Sequence, residues 1–202
     1  MKFLIYIVLA SFLWFVMFVL KPMNFWVMMA FSTSVLYAVS IFHYREQLKK
    51  DFFNLKEISI GISGAALLYL IFLFGKYILD SFGIIPNHNQ NISSVYANRE
   101  ALPSWTVALL LFFPIGFGEE MFWRGYIQRH LSERYNKWTG LLITVFFYTV
   151  VHIPTMNPVL VLASFIVGLY WGLIFLWRGN ITAAVLSHML WDPFIFVILP
   201  VN

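Results

Sequence analysis

The chain has 202 residues, 61% of them hydrophobic and only 11% charged, with a net charge of +4 and a mean hydropathy of +0.80. A soluble domain carries charge at ~25% of its positions, so this composition excludes an ordinary water-soluble globule and points to a chain that lives in a bilayer. Cysteine is absent, which removes disulfides and thiolate metal sites.

Hydrophobic runs of about 20 residues, the length that crosses a bilayer, recur throughout. The first covers 3–20 and follows Lys2. It is too long for a signal-peptide core, and another apolar run follows almost at once, so it reads as a first membrane helix. Lys21 and Pro22 separate it from a second span at 23–43, and a third covers 58–79. The run at 45–57 reads as a solvated loop near anionic headgroups. The stretch 80–104, rich in Asn, Ser and Pro, reads as either a mobile loop or a cap over the bundle. A fourth span begins near Trp105 and contains FFPIGFGEEMFWRGY. The fifth runs from Trp138 to Ile153, the sixth from Pro158 to Trp177 and the seventh from Ile181 to Leu199. Pro154 and Pro158 bracket one turn, and Arg178-Gly179-Asn180 forms the next. The expected fold is therefore all-α, a polytopic transmembrane bundle of about seven spans in a single integral membrane domain, 1–202, with the motif-bearing helices at 105–199.

Lys and Arg in the short loops set the orientation. Lys2, Arg45, Lys49, Lys50, Lys56, Arg124, Arg129, Arg134, Lys137 and Arg178 fall on one side if the N-terminus is cytoplasmic, against Lys21, Lys76 and Arg99 on the other. This bias accounts for the basic balance without nucleic acid. The abundant aromatic residues suit lipid-facing and interfacial positions, and Gly168 and Gly172, four apart, suit close helix packing. No internal repeat suggests a transporter.

Few ionisable residues lie inside the spans: Glu119, Glu120, Arg124, His152, His188 and Asp192. Charge is costly there, so each is a functional candidate. Glu120 and Arg124 are four apart with the acid first, the favoured order for an ion pair on one helix face. Glu119 is rotated about 100° from that face and is left to point elsewhere. His188 and Asp192 also share a face, and His152 lies one turn after Tyr148. Convergence of Glu119, His152 and His188 would supply the acid/base group and imidazoles that water activation needs.

These residues carry a resemblance. EEMFWR at 119–124 is similar to the Glu-Glu-x-x-x-Arg motif of the CPBP (Abi) family, which includes CAAX-type prenyl-protein endopeptidases and bacteriocin-processing membrane proteases. YTVVH at 148–152 resembles its Phe-x-x-x-His motif, with Tyr148 in place of Phe, and HMLWD at 188–192 its His-x-x-x-Asn/Asp motif. The resemblance covers 119–192 and implies an intramembrane endopeptidase of the glutamate type. Glu119 would act as general base on water and His152 would hold that water. His188 and Asp192 would serve the oxyanion, or Asp192 would orient His188; Glu120, Arg124 and Tyr148 would be supporting residues.

The implied substrate is a membrane-associated peptide or protein, prenylated or leader-containing, cleaved in the bacterial plasma membrane with the active site toward the cytoplasmic side. No cofactor is expected. The alternatives are a zinc protease with Glu119, His152 and His188 as ligands, a non-catalytic bacteriocin self-immunity or scaffold protein, and a proton-coupled transporter.

Overall fold

A computed structural model describes residues 2–50 and 54–201. Helix α1 (Lys2–Phe15) runs on into a wider π turn at Val16–Leu20, and α2 (Phe25–Lys50) and α3 (Leu55–Phe82) return in antiparallel order. Among the described residues, six helical segments are long and apolar enough to cross a membrane: Phe3–Leu20, Phe25–Leu48, Leu55–Phe82, Ser104–Arg134, Lys137–Thr155 and Pro158–Arg178. The seventh expected span is the shorter apolar helix Thr182–Ile198. At 1.5 Å per residue it reaches roughly 25 Å, close to the hydrocarbon thickness of about 30 Å. The all-α bundle expected from the sequence is the observed architecture, with no strand among the described residues.

The sequence signals for helix ends operate as expected. Asn54, Asn136 and Asn157 cap α3, α8 (Lys137–Val150) and α9 (Pro158–Arg178) by accepting backbone N–H groups. Gly83 and Gly179 end α3 and α9 with φ of 58° and 70°, a region that suits glycine. Helix α2 is kinked at Tyr44, whose hydroxyl donates to Glu133 on α7 (Arg129–Arg134) across 2.7 Å.

One sequence expectation needs correction and two are sharpened. The run at 45–57, of which 51–53 lie outside the described residues, is not a solvated loop throughout. Helix α2 extends to Lys50, and Glu57 is buried, held bidentately by Arg178 at 2.5–3.1 Å. The aromatic residues divide between two environments: Phe12, Phe31, Phe42, Phe74 and Phe146 are exposed on the bundle surface, whereas Trp14, Trp26, Trp123 and Trp171 are among the largest fully buried side chains. Finally, 80–104 is built as a cap. Helix α4 (His88–Tyr96) and the 3-10 turn Ala97–Ala101 lie across one end of the bundle. Asn157 donates to Asn91 O and Ser94 Oγ, Tyr96 donates to Ile195 O, and Trp26 donates to Asn98 O.

The fourth span is a composite helix. It comprises α5 (Ser104–Leu110), a π segment Leu111–Gly116, α6 (Phe117–Phe122), a second π segment Trp123–Gln128, and α7. Phe113 leaves helical geometry just before Pro114, which removes a backbone donor and breaks the regular ladder. Gly118 then faces the backbone of α2, where a Cβ would stand 2.8 Å from Thr33 O. Gly116 faces the backbone of α10 (Thr182–Pro193) at Met189. The two glycines let α2 and α10 close on either side of the helix that carries the acidic pair.

Candidate active site

Glu119 and Glu120 are both buried and turn in different directions, as expected for neighbours about 100° apart on a helix. Each begins a separate network.

The Glu120 network runs through charge. Arg124 Nη1 donates to Glu120 Oε1 across 2.7 Å, the i, i+4 pair read from the spacing. The same oxygen lies 2.9 Å from His188 Nδ1, and His188 Nε2 lies 3.2 Å from Asp192 Oδ2. Both ring nitrogens therefore face carboxylate oxygens, an arrangement satisfied when each carries a proton. Trp171 stacks on the imidazole with centroids 3.7 Å apart and planes at 14°, and its indole N–H is fixed by Ser187 Oγ at 3.1 Å. An aromatic face suits a cationic ring.

Arg124 is anchored a second time, to the backbone of α9. Its Nη2 donates to Gly168 O across 2.8 Å, and Gln128, one turn later, donates to Gly172 O across 2.9 Å. Two side chains four apart on one helix thus reach two carbonyls four apart on the next. Glycine eases this approach, because a Cβ at 168 would stand 3.0 Å from the Tyr148 ring and one at 172 would crowd Leu141 Cδ1 and stand 3.2 Å from Gln128 Oε1.

The Glu119 network is uncharged beyond its carboxylate. Tyr148 donates its hydroxyl to Glu119 Oε2 across 2.9 Å. The Tyr148 backbone carbonyl accepts from His152 Nδ1 at 2.7 Å, and His152 Nε2 accepts the indole N–H of Trp14 at 3.2 Å. These partners fix the tautomer with the proton on Nδ1. The Arg124 guanidinium lies 5.1 Å from the Tyr148 ring centroid, which brings the two networks side by side.

Glu119, Tyr148, His152, Trp171, His188 and Asp192 all line one cavity of about 680 Å3. Convergence of Glu119, His152 and His188 is thus through a shared cavity wall, not direct contact. Helix α8 ends at Val150 and His152 sits beyond it in a turn, nearer the cap than His188.

The zinc alternative meets this geometry poorly. Both nitrogens of His152 already have partners, both of His188 face carboxylates, and no group of three His, Asp or Glu among the described residues is arranged to hold a metal. Trp14, Gln128, Trp171 and Ser187 were not singled out by the sequence. Gln128 had a signal, since its spacing from Arg124 repeats that of Gly168 and Gly172; the tryptophans were hidden among abundant aromatics.

Fold and site together define a polytopic helical membrane protein with a buried carboxylate–imidazole centre beside a cavity. Residues 101–194 match the family model described as type II CAAX prenyl endopeptidase Rce1-like, and this segment is similar to the proteases that the three motifs resemble. The matched segment contains both networks except Trp14. Searches of curated proteins and of solved structures find no match. The helices long and apolar enough to cross a membrane fit an integral membrane protein.

Proposed function

We propose that this protein is an intramembrane endopeptidase of the glutamate type, which hydrolyses a peptide bond in a membrane-associated polypeptide. The observation that carries the reading is the division of the glutamate pair. Glu120 is bound by Arg124 and His188, whereas Glu119 faces the cavity with Tyr148 on one oxygen.

In this scheme Glu119 takes a proton from a cavity water as that water attacks the scissile carbonyl, and later returns it to the leaving amine. His188, held by Glu120 and Asp192, presents Nε2–H to the oxyanion when Asp192 yields its place, so Asp192 orients and charges the ring between turnovers. His152, engaged on both nitrogens, is a positioning residue that sets Tyr148, and Tyr148 sets Glu119. Metal-independent hydrolysis follows from this assignment, since Glu119 is the base and not a ligand. A lipidated or leader-bearing peptide fits the apolar cavity equally well.

The test is cleavage of a fluorogenic peptide by the full chain in proteoliposomes. Glu119→Gln abolishes turnover while keeping the wild-type melting temperature, and chelators leave the wild type active. Normal turnover by Glu119→Gln overturns the mechanism, and chelator loss restored by zinc replaces it with the metal one.

A further inference from the structure

The cavity has a direction. Its floor is set by Glu119, Trp171 and His188, and its walls rise toward the end of the bundle covered by α4. Lys21 lines it from the turn after α1, Lys76 from the last turns of α3, Ser94 and Asn98 from the cap, and Thr155 from the turn before α9. Nothing from the opposite end, where Glu57 meets Arg178 and Tyr44 meets Glu133, contributes to the lining. Tyr170 ties α9 to α3 by donating to Gly64 O across 2.7 Å. Toward the cap from that tie, Ile71 and Leu79 of α3 and Leu162 of α9 line the cavity, and Leu162 is 41% exposed, so the wall also reaches the lipid-facing surface.

Charge is distributed along the same axis. Arg45, Lys56, Arg129, Arg134, Lys137 and Arg178 gather at the end away from the mouth, while Lys21, Lys76 and Arg99 are the basic residues at the capped end. Lys76 is already neutralised by Asp80 at 2.6 Å. Short basic loops stay on the cytoplasmic side of a membrane. The floor of the cavity, with Glu119 and His188, is therefore nearer the cytoplasm and its mouth faces away from it.

From this geometry we propose that the catalytic cavity is loaded from the non-cytoplasmic half of the membrane, by a polypeptide segment that lies in the outer leaflet or has already crossed. A cavity of about 680 Å3 is in the roughly 300–1,000 Å3 range of small-ligand sites. It admits a short extended stretch of chain and not a folded domain. Its aliphatic and aromatic lining selects an apolar stretch. The identity of the occupant as a substrate rests on the proteolytic reading; the direction of entry does not.

The chain contains no cysteine, so single replacements report without background. Ser94→Cys and Asn98→Cys mark the rim, Ala163→Cys the cavity wall, and Tyr135→Cys the basic end. Each is expressed in the plasma membrane of bacterial cells and exposed to a membrane-impermeant maleimide. The rim cysteines react equally in intact and permeabilised cells, whereas Tyr135→Cys reacts at least tenfold faster after permeabilisation. In the double variant Ser94→Cys/Ala163→Cys, the cysteine at 163 is protected from a small maleimide once a bulky one has been attached at the rim from outside. Labelling of Tyr135→Cys in intact cells with silent rim sites overturns the proposal. Because labelling needs no turnover, loss of the protease reading leaves this result interpretable, and the converse holds.

Discussion

The hydroxyl of Tyr148 donates to Oε2 of Glu119 across 2.9 Å, from the position where the family motif has a phenylalanine. The contact joins the end of α8 to the middle of the composite helix and occupies one of the two oxygens of the proposed base.

Tyr148→Phe removes this donor and keeps the ring that packs on Trp123 and beneath Arg124. A hydrogen bond to a charged group is worth about 1.5–3 kcal/mol. Peptide hydrolysis falls roughly tenfold to a hundredfold by the tenfold-per-1.4 kcal/mol conversion, with a near-native melting temperature. An unchanged kcat assigns the hydroxyl no part in catalysis.

Glu120→Gln acts differently. It leaves Arg124 and His188, both buried, without their shared countercharge. Breaking a buried pair from one side costs about 3–5 kcal/mol, so thermal unfolding in detergent moves to markedly lower temperature and yield drops. A variant that unfolds normally but turns over slowly transfers the catalytic role to Glu120.

Gly168→Ala tests the helix contact. The added methyl meets the Tyr148 ring at 3.0 Å, so the ring and its hydroxyl shift relative to Glu119. Activity falls more than stability does, and the loss is not compounded when Tyr148 is already Phe, because both changes act on one contact. Additive losses in this double-mutant cycle separate the two residues.

Trp14→Phe keeps an aromatic ring against His152 while deleting the indole donor to its Nε2. The freed nitrogen retains its tautomer through Tyr148 O, so folding persists and hydrolysis falls by less than tenfold, about the worth of one neutral hydrogen bond of 0.5–1.5 kcal/mol. A loss as deep as that of Glu119→Gln makes Trp14 indispensable to the site.

Spans and motif spacing were legible because bilayer length and helical periodicity act locally. The pairing of Glu120 with Arg124 and the stacking of His188 over Asp192 on one face follow from four-residue spacing alone. His188 reaching Glu120, and Trp14 reaching His152, depend on how distant helices pack, and no local pattern carries that information. The cap was open to two readings because polar loops and short polar helices share a composition; the contact of Asn157 with Asn91 decides between them. Glu57 read as solvated for a similar reason, since its partner Arg178 lies 121 residues away in sequence.

Arg124 and Gln128 grip the main chain of α9 with their hydrogen bonds, while the Arg124 guanidinium also lies 5.7 Å from the Trp171 ring centroid. Those hydrogen bonds consequently do not read the side chains of that neighbour and ask chiefly for bareness at two points. The lipid-facing positions of α9 are thus released to adapt to a different bilayer or a different occupant, while the registry of the acidic pair against it stays locked to the pitch of a helix.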